Sequence, residues 1–135
     1  PIPWSLLILD GVMTALSEKL QRKYYPSERH PYRLFEQRVN DLLRPGDTLM
    51  DAGCGRTAPV LRTYLGRAGR LIGGELVDFV GVPAGIETYN CDLATLPIES
   101  DCVDLIMSRS VFEHLTEPAG VYREFARVLK PGGRI

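Results

Sequence analysis

The chain has 135 residues, which is enough for one domain with a buried core. Hydrophobic residues make up 44% of it and charged residues 24%, the composition of an ordinary globular protein. Its 16 Lys and Arg nearly balance its 17 Asp and Glu, so the net charge of -1 excludes a chain-wide attraction to nucleic acid or to an anionic membrane.

The cysteines and histidines argue against a disulfide framework and against a metal site. The cysteines are Cys54, Cys91 and Cys102. They form no CxxC pair and their number is odd, which excludes a complete disulfide framework and favours reduced thiols in a cytoplasmic protein. The two histidines, His30 and His114, lie far apart in the sequence, so we predict no metal site. The apolar run at positions 4–9 is too short to span a bilayer, so we also predict no membrane span.

The first 44 residues are predicted to be helical. Apolar residues recur at three- and four-residue steps over Asp10–Tyr24, the pattern of an amphipathic helix. A second helix is predicted over Pro31–Leu43, because proline suits a first turn and the Pro-Gly that follows stops the helix. The basic stretch at positions 19–38 indicates either a patch for an anionic partner or a solvated helix face, and it gives no strong nucleic-acid signal.

From residue 45 onward, short apolar strands alternate with helices. The predicted strands are Thr48–Asp51, Leu71–Glu75, Glu87–Cys91 and Val103–Ser108. The predicted helices are Pro59–Leu65, with its leucines and Tyr64 facing inward, and Pro118–Leu129. This alternation is typical of an α/β fold with a doubly wound parallel sheet.

The end of the sequence repeats an earlier plan. "LLRPGDTLMD" and "VLKPGGRI" both combine a helix end, a basic residue, Pro-Gly and a strand, so a fifth strand is predicted to begin at Arg134–Ile135. On this interpretation the core at 45–135 is incomplete and its C-terminal strands are missing. The strand Val103–Ser108 would then be an uncovered edge, through which we expect self-association.

The first strand ends in an acid followed by a glycine turn. Residues 53–58 satisfy G-x-G-x-x-A, a pattern that serves a dinucleotide, another adenosyl cofactor or a plain strand-to-helix turn. A carboxylate at Asp51 is unfavourable beside a pyrophosphate, because like charges repel. It suits a cationic ligand such as S-adenosylmethionine, and it could also cap the turn.

Two further acids follow strands. Glu75 lies 24 positions after Asp51 at the end of the second predicted strand, where it could accept both ribose hydroxyls or be a solvated loop acid. Asp92 follows the third strand. It could accept the adenine amine while the Leu93 N–H meets a ring nitrogen, or it could form an Asx turn.

Four blocks of sequence now resemble, in order, the motifs of class I S-adenosylmethionine-dependent methyltransferases, in the branch that acts on small molecules. They read "LMDAGCGRT", "LIGGEL", "CDLATLPIESDCVDLIMSRSVFEHL" and "VYREFARVLKPGGR". The resemblance covers positions 45–135 and implies a Rossmann-like, three-layer α/β/α fold with S-adenosylmethionine as cofactor and S-adenosylhomocysteine as product. It also implies a small-molecule methyl acceptor, and it makes residues 1–44 a lid. The sequence departs from the pattern at Thr57, where a third glycine is usual.

The resemblance also implies the site residues. Cofactor contacts are expected for Asp51, Gly53, Gly55, Glu75, Leu76, Asp92, Leu93, Ser108 and Arg109. Glu113 and His114 are the candidates for a general base, if the acceptor must lose a proton, and His114 could instead be structural. Two other functions stay open: a non-catalytic methyltransferase-like binding or assembly module, and an NAD-binding oxidoreductase domain.

Overall fold

The computed structural model describes residues 17–20, 23–24 and 30–135. Within the helix predicted over Asp10–Tyr24, residues 17–20 and 23–24 are helical, and the rest of that prediction lies outside the described residues. The chain divides into two compact units, Pro1–Asp41 and Leu42–Ile135. Helix α1, Pro31–Leu42, ends one residue before the predicted limit.

Residues 48–134 build one five-stranded parallel sheet. Its strands are β1 (Thr48–Ala52), β2 (Arg70–Glu75), β3 (Glu87–Asn90), β4 (Val103–Met107) and β5 (Leu129–Arg134). Their order in space is β3-β2-β1-β4-β5, which confirms the predicted α/β parallel sheet and places β1 between β2 and β4. All five residues of β1 are buried, because a central parallel strand is covered on both faces.

The apolar core forms between the sheet and the helix that precedes β5. Helix α2, Pro118–Val128, begins with proline in its first turn and buries Val121, Phe125 and Val128. These side chains join a cluster with strand and loop residues, namely Met50, Ala52, Ile72, Leu93, Leu96, Val103 and Ile106. The cluster fixes β1, β2 and β4 against the helix.

An ion pair on α2 anchors the segment that leads into β4. The Glu124 carboxylate accepts the Leu96 N–H at 2.8 Å and pairs with the Arg127 guanidinium at 2.6 Å. The same guanidinium donates to the Leu96 and Ile98 carbonyls at 3.0 and 2.9 Å. Bidentate, charge-assisted bonds of this kind hold segment 96–98 in addition to the apolar burial of Leu96.

The helix predicted over Pro59–Leu65 is wrong. The chain forms only a 3-10 turn, Leu61–Tyr64, in which both named residues are buried while Leu65 is 38% exposed. Gly66, with φ +74°, reverses the chain directly afterwards. A segment this short gains too few backbone hydrogen bonds to propagate an α-helix.

The predicted position of the fifth strand is also wrong. β5 starts at Leu129, directly after α2, and pairs with β4 through Val103↔Leu129 and Leu105↔Arg134 with an irregularity between the pairs. Pro131 has no N–H to donate, so its neighbourhood bulges out of the ladder. Val103–Ser108 is therefore not an edge, since β4 lies between β1 and β5, and the expected self-association loses its basis.

A polar cluster ties these three strands at their amino ends. The Asp104 carboxylate accepts the Thr48 N–H at 2.8 Å and the Lys130 ammonium at 2.7 Å. Burial acts to raise the pKa of Asp104, but the hydrogen bonds from the Lys130 ammonium and the Thr48 N–H outweigh it, so the pKa is lowered. The charged form is thus the one that links β1, β4 and β5.

Substitution of Phe125 tests how the core is packed. Replacing this fully buried side chain with alanine should lower the free energy of unfolding by about 3–5 kcal/mol, since a cavity is left under β4. Urea denaturation followed by circular dichroism measures the change. Arg123→Ala, on the exposed face of the same helix, is the control and should shift the value by less than about 0.5 kcal/mol. Equal effects for the two variants would contradict this packing.

Candidate functional site

The predicted site residues follow the ends of β1, β2, β3 and β4, a region called the carboxyl edge below. The glycine turn, residues 53–58, leaves β1 and crosses the end of β2. Its Gly53 and Cys54 N–H groups donate to the Gly74 carbonyl at 2.8 and 3.3 Å. Gly53 and Gly55 have φ +82° and +73°, a conformation that glycine adopts without strain.

Glu75 joins the glycine turn to the segment after β2. One carboxylate oxygen accepts the Gly55 N–H at 2.9 Å and the other accepts the Leu76 N–H at 2.8 Å. Each oxygen keeps a lone pair, so the group can still accept from two hydroxyls. The acid predicted to hold a ribose is therefore fixed in orientation beside the turn.

Asp51 is buried at the end of β1, with 5% of its surface exposed. Burial raises the pKa of its carboxyl group to about 7, the nearby Arg109 guanidinium opposes this shift, and Glu75 adds to it. A carboxyl group in this state gains most from a ligand that brings a positive charge. The electrostatics at this position thus favour a cation over a phosphate.

Cys54, between the two glycines, is a buried neutral thiol. Burial raises its pKa to about 12, and the carboxylates of Asp51 and Glu75 add to the shift. A Cβ on Gly73 would come within 2.7 Å of its sulfur, so the thiol packs directly on β2. Because the thiolate is the reactive form, this environment makes Cys54 a poor nucleophile.

The loop after β3 forms the Asx turn that was one of two interpretations. The Asp92 carboxylate accepts the Ala94 N–H at 2.8 Å, and its carbonyl accepts the Thr95 N–H at 3.0 Å. Cys91 fixes the loop by donating its N–H to the Glu75 carbonyl at 2.9 Å. Asp92 keeps its second oxygen, and the Leu93 side chain is buried in the core.

The loop after β4 packs on the glycine turn. The Ser108 hydroxyl donates to the Ala52 carbonyl at 2.9 Å. A Cβ on Gly53 would overlap Cγ2 of Val111, so the two loops touch. Ser110 has φ +57° and Ala58, in the glycine turn, has φ +46°, conformations that cost a non-glycine residue about 1 kcal/mol or more. Strain of this kind gathers at functional sites.

Glu113 and His114 lie on a 3-10 turn, Phe112–His114, and both are exposed. Phe112 anchors this turn on α2 by stacking on Tyr122, with ring centroids 5.1 Å apart. Within residues 30–135, no side chain orients the His114 imidazole by a hydrogen bond. A general base normally has such an orienting partner.

Sequence reasoning did not single out Val111 or Arg62. Val111 lies within the third of the four resembling blocks, and its contact with Gly53 joins residues that are 58 positions apart. Arg62 donates to the Thr57 carbonyl at 2.9 Å and to the Gly81 carbonyl. No spacing rule identifies an arginine that binds main-chain carbonyls, because only the tertiary structure brings them together.

The part of the chain that the structure describes has neither a metal-ligand cluster nor a membrane-spanning helix. No group of three His, Cys, Asp or Glu side chains there could hold a metal ion. No helix there combines the length and apolarity that crossing a bilayer requires. The carboxyl edge instead offers an oriented carboxylate at Glu75 and a buried carboxyl group at Asp51 with the Arg109 guanidinium nearby. These groups suit an organic ligand that carries hydroxyl groups and a positive charge.

Comparison with known proteins gives a consistent result. The family model described as "Methyltransferase domain" matches residues 50–135. An uncharacterized 37.1 kDa protein from a transposon of Streptomyces fradiae is 34% identical over 103 residues, 68% of this chain and 30% of that protein. The 27-O-demethylrifamycin SV methyltransferase of Amycolatopsis mediterranei is 26% identical over 135 residues, 87% of this chain and 50% of that protein.

Solved structures share the fold. The YcgJ protein of Bacillus subtilis matches with a TM-score of 0.66 and 21% identity over 76% of this chain and 48% of that chain. This similarity confirms the Rossmann-like α/β architecture. The chain spans half or less of the length of the two curated relatives above.

The two glycines of the turn should respond differently to substitution. Gly53→Ala should lower stability more than Gly55→Ala, because its methyl group must displace Val111 whereas a Cβ on Gly55 meets no atom within 4 Å. Both carry the strain of a positive φ, about 1 kcal/mol or more. Denaturant unfolding of the two variants measures the free energy of unfolding of each.

The double variant Gly53→Ala/Val111→Ala is the control for that comparison. It should recover part of the loss seen for Gly53→Ala, since the second change opens the space that the methyl group needs. Strictly additive effects of the two substitutions would contradict the contact.

Asp51 should make ligand-free stability fall as pH rises. Its folded pKa, about 7, exceeds the value of 3.8 expected when unfolded, so between about pH 4 and pH 7 the folded chain binds more protons. The free energy of unfolding should therefore decrease through this window, by at most about 1.4 kcal/mol per pH unit from this group. Asp51→Asn should remove that component in urea titrations at pH 5, 6, 7 and 8. An unchanged pH profile for the variant would contradict the shift.

Proposed function

This chain belongs to the methyltransferase-domain family, and from that premise we propose that its carboxyl edge binds S-adenosylmethionine and serves methyl transfer to a small-molecule acceptor. One observation carries the proposal: Glu75 is held by the Gly55 and Leu76 N–H groups with lone pairs left over beside the glycine turn. The relative named for 27-O-demethylrifamycin SV supports an acceptor of small-molecule class.

The nucleoside half of the cofactor would lie along β2 and β3. Glu75 would accept the ribose hydroxyls with its remaining lone pairs. The free oxygen of Asp92 would accept the adenine amine, and the Leu93 N–H, which takes no part in the Asx turn, would meet a ring nitrogen. Leu76 is 68% exposed next to Glu75, and adenine would cover its apolar surface.

The amino-acid half would lie over the end of β1. Asp51 would attract the ammonium group, and the nearby Arg109 would attract the carboxylate. Gly53 and Gly55 carry no side chain, so the ligand can approach the main chain between them. Ser108 would act by bracing the β4 loop through its bond to the Ala52 carbonyl.

When bound, the cofactor supplies an electrophilic methyl group whose leaving group is a neutral thioether. The residues of this chain therefore contribute mainly alignment, and holding two reactants in line accounts for about 7–11 kcal/mol of a barrier. A proton must be removed early only from an acceptor of low acidity. In that case Glu113 or His114, exposed beyond β4, would take the proton.

The NAD-binding alternative differs in one respect. A dinucleotide would bring its pyrophosphate to the glycine turn, next to the buried carboxyl group of Asp51. The negative charges would repel each other, so this geometry favours the sulfonium cofactor.

Calorimetric titration of the chain tests the proposal. S-adenosylhomocysteine should bind and NAD should bind more weakly or not at all. Glu75→Gln should weaken S-adenosylhomocysteine about 10- to 100-fold, because a charged acceptor is lost from bonds worth about 1.5–3 kcal/mol.

Glu87→Gln is the matched control. Glu87 pairs with Arg70 at 2.7 Å at the other end of the sheet, so its loss should leave cofactor affinity unchanged. Tighter binding of NAD than of S-adenosylhomocysteine would overturn the cofactor assignment. Unchanged affinity in Glu75→Gln would overturn the role of that acid alone.

A further inference from the structure

The segment at positions 76–82 has little apolar burial to hold it. It leaves β2 directly after Glu75, and three of its side chains, Leu76, Val77 and Val80, are 68%, 45% and 55% exposed. A segment with so few buried contacts is a candidate for local opening. Its position beside the carboxyl edge must therefore be set by hydrogen bonds.

Three of these bonds join the segment to β3 and to the glycine turn. The Asn90 amide, at the end of β3, donates to the Leu76 carbonyl at 3.4 Å and to the Asp78 carboxylate at 3.2 Å. The Val80 N–H donates to the Arg56 carbonyl in the glycine turn at 3.0 Å. The first half of the segment is thus tied to β3, and its middle is tied to the glycine turn.

The end of the segment is tied by a side chain, Arg62. Its Nε donates to the Thr57 carbonyl at 2.9 Å and its Nη2 donates to the Gly81 carbonyl. One guanidinium thus joins the glycine turn to segment 76–82, and its planar fork fixes the angle between the two bonds. The arginine projects from the 3-10 turn whose Leu61 and Tyr64 are 0% and 2% exposed, so its base is rigid.

An exposed arginine is usually solvated or paired with a carboxylate, and such pairs contribute little. Arg62 instead uses two of its N–H directions on carbonyls from two different segments. Both segments flank Glu75, whose carboxylate bonds Gly55 in one and Leu76 in the other. The two bridges, Glu75 and Arg62, therefore act on the same pair of segments.

We propose that Arg62 is a positioning residue for the cofactor: it holds segment 76–82 against the glycine turn, so that Glu75 and Leu76 meet the nucleoside half in a preformed arrangement. A segment ordered before binding does not lose its conformational freedom when the ligand arrives, which raises affinity. The proposal rests on the proposed function above, since the ligand is the same.

Calorimetry with two probes tests it, namely S-adenosylhomocysteine and 5′-methylthioadenosine, which share the nucleoside and differ in the amino-acid half. Arg62→Gln should weaken both by the same factor, about tenfold, the effect of losing one charge-assisted hydrogen bond. Arg62→Lys should recover part of the affinity, because an ammonium reaches one carbonyl but not both in fixed geometry. Limited proteolysis should cut Arg62→Gln faster within positions 76–82.

Arg123→Ala, an exposed arginine on α2, is the matched control and should change neither affinity nor cleavage. Thermal unfolding of each variant is measured first. If Arg62→Gln is too unstable to titrate, Arg62→Lys alone tests the proposal. Its affinity for the two probes should then be lowered by the same factor.

Three outcomes would overturn the proposal. Full affinity in Arg62→Gln would do so while leaving the proposed function intact. A larger loss for S-adenosylhomocysteine than for 5′-methylthioadenosine would move the effect to the amino-acid half. If the unsubstituted protein bound neither probe, the proposed function and this inference would both fall.

Discussion

The site depends on one carboxylate, that of Glu75, which accepts the N–H groups of Gly55 and Leu76. Two segments that leave neighbouring strands are joined there by charge-assisted bonds, which are about twice as strong as neutral ones. The glycine turn is fixed a second time by its bonds to the Gly74 carbonyl. The loop that carries Asp92 is bonded to the same residue, because the Cys91 N–H donates to the Glu75 carbonyl.

Charge at the carboxyl edge is unevenly distributed, and this has a chemical consequence. Asp51 is buried under the turn, Glu75 is half-buried and Asp92 is exposed, while Arg109 brings a positive charge near Asp51. Burial penalises the carboxylate of Asp51, so its charge is developed most readily when a cation arrives. The thiol of Cys54 stays neutral beside it and takes no part in this balance.

The positions of β1, β2 and β4 could be predicted from the sequence, because buried parallel strands are short apolar runs bounded by turn residues. The errors have a common physical origin. At Pro59–Leu65 and at Arg134–Ile135, local propensity competes with packing and strand pairing, and neither can be seen along the chain. The role of residues 1–44 as a lid stays a prediction.

For the site, the sequence by itself determined the residue types and the ends of strands at which Asp51, Glu75 and Asp92 occur, because glycine turns and acids leave recognisable spacings. Only the tertiary structure decided how the Glu75 carboxylate is oriented and which loop touches Gly53. It also decided that Arg62 bonds two carbonyls. These contacts join residues 1 to 58 positions apart, and each has a main-chain group on at least one side. Every residue carries such groups, so no side-chain pattern can encode these contacts.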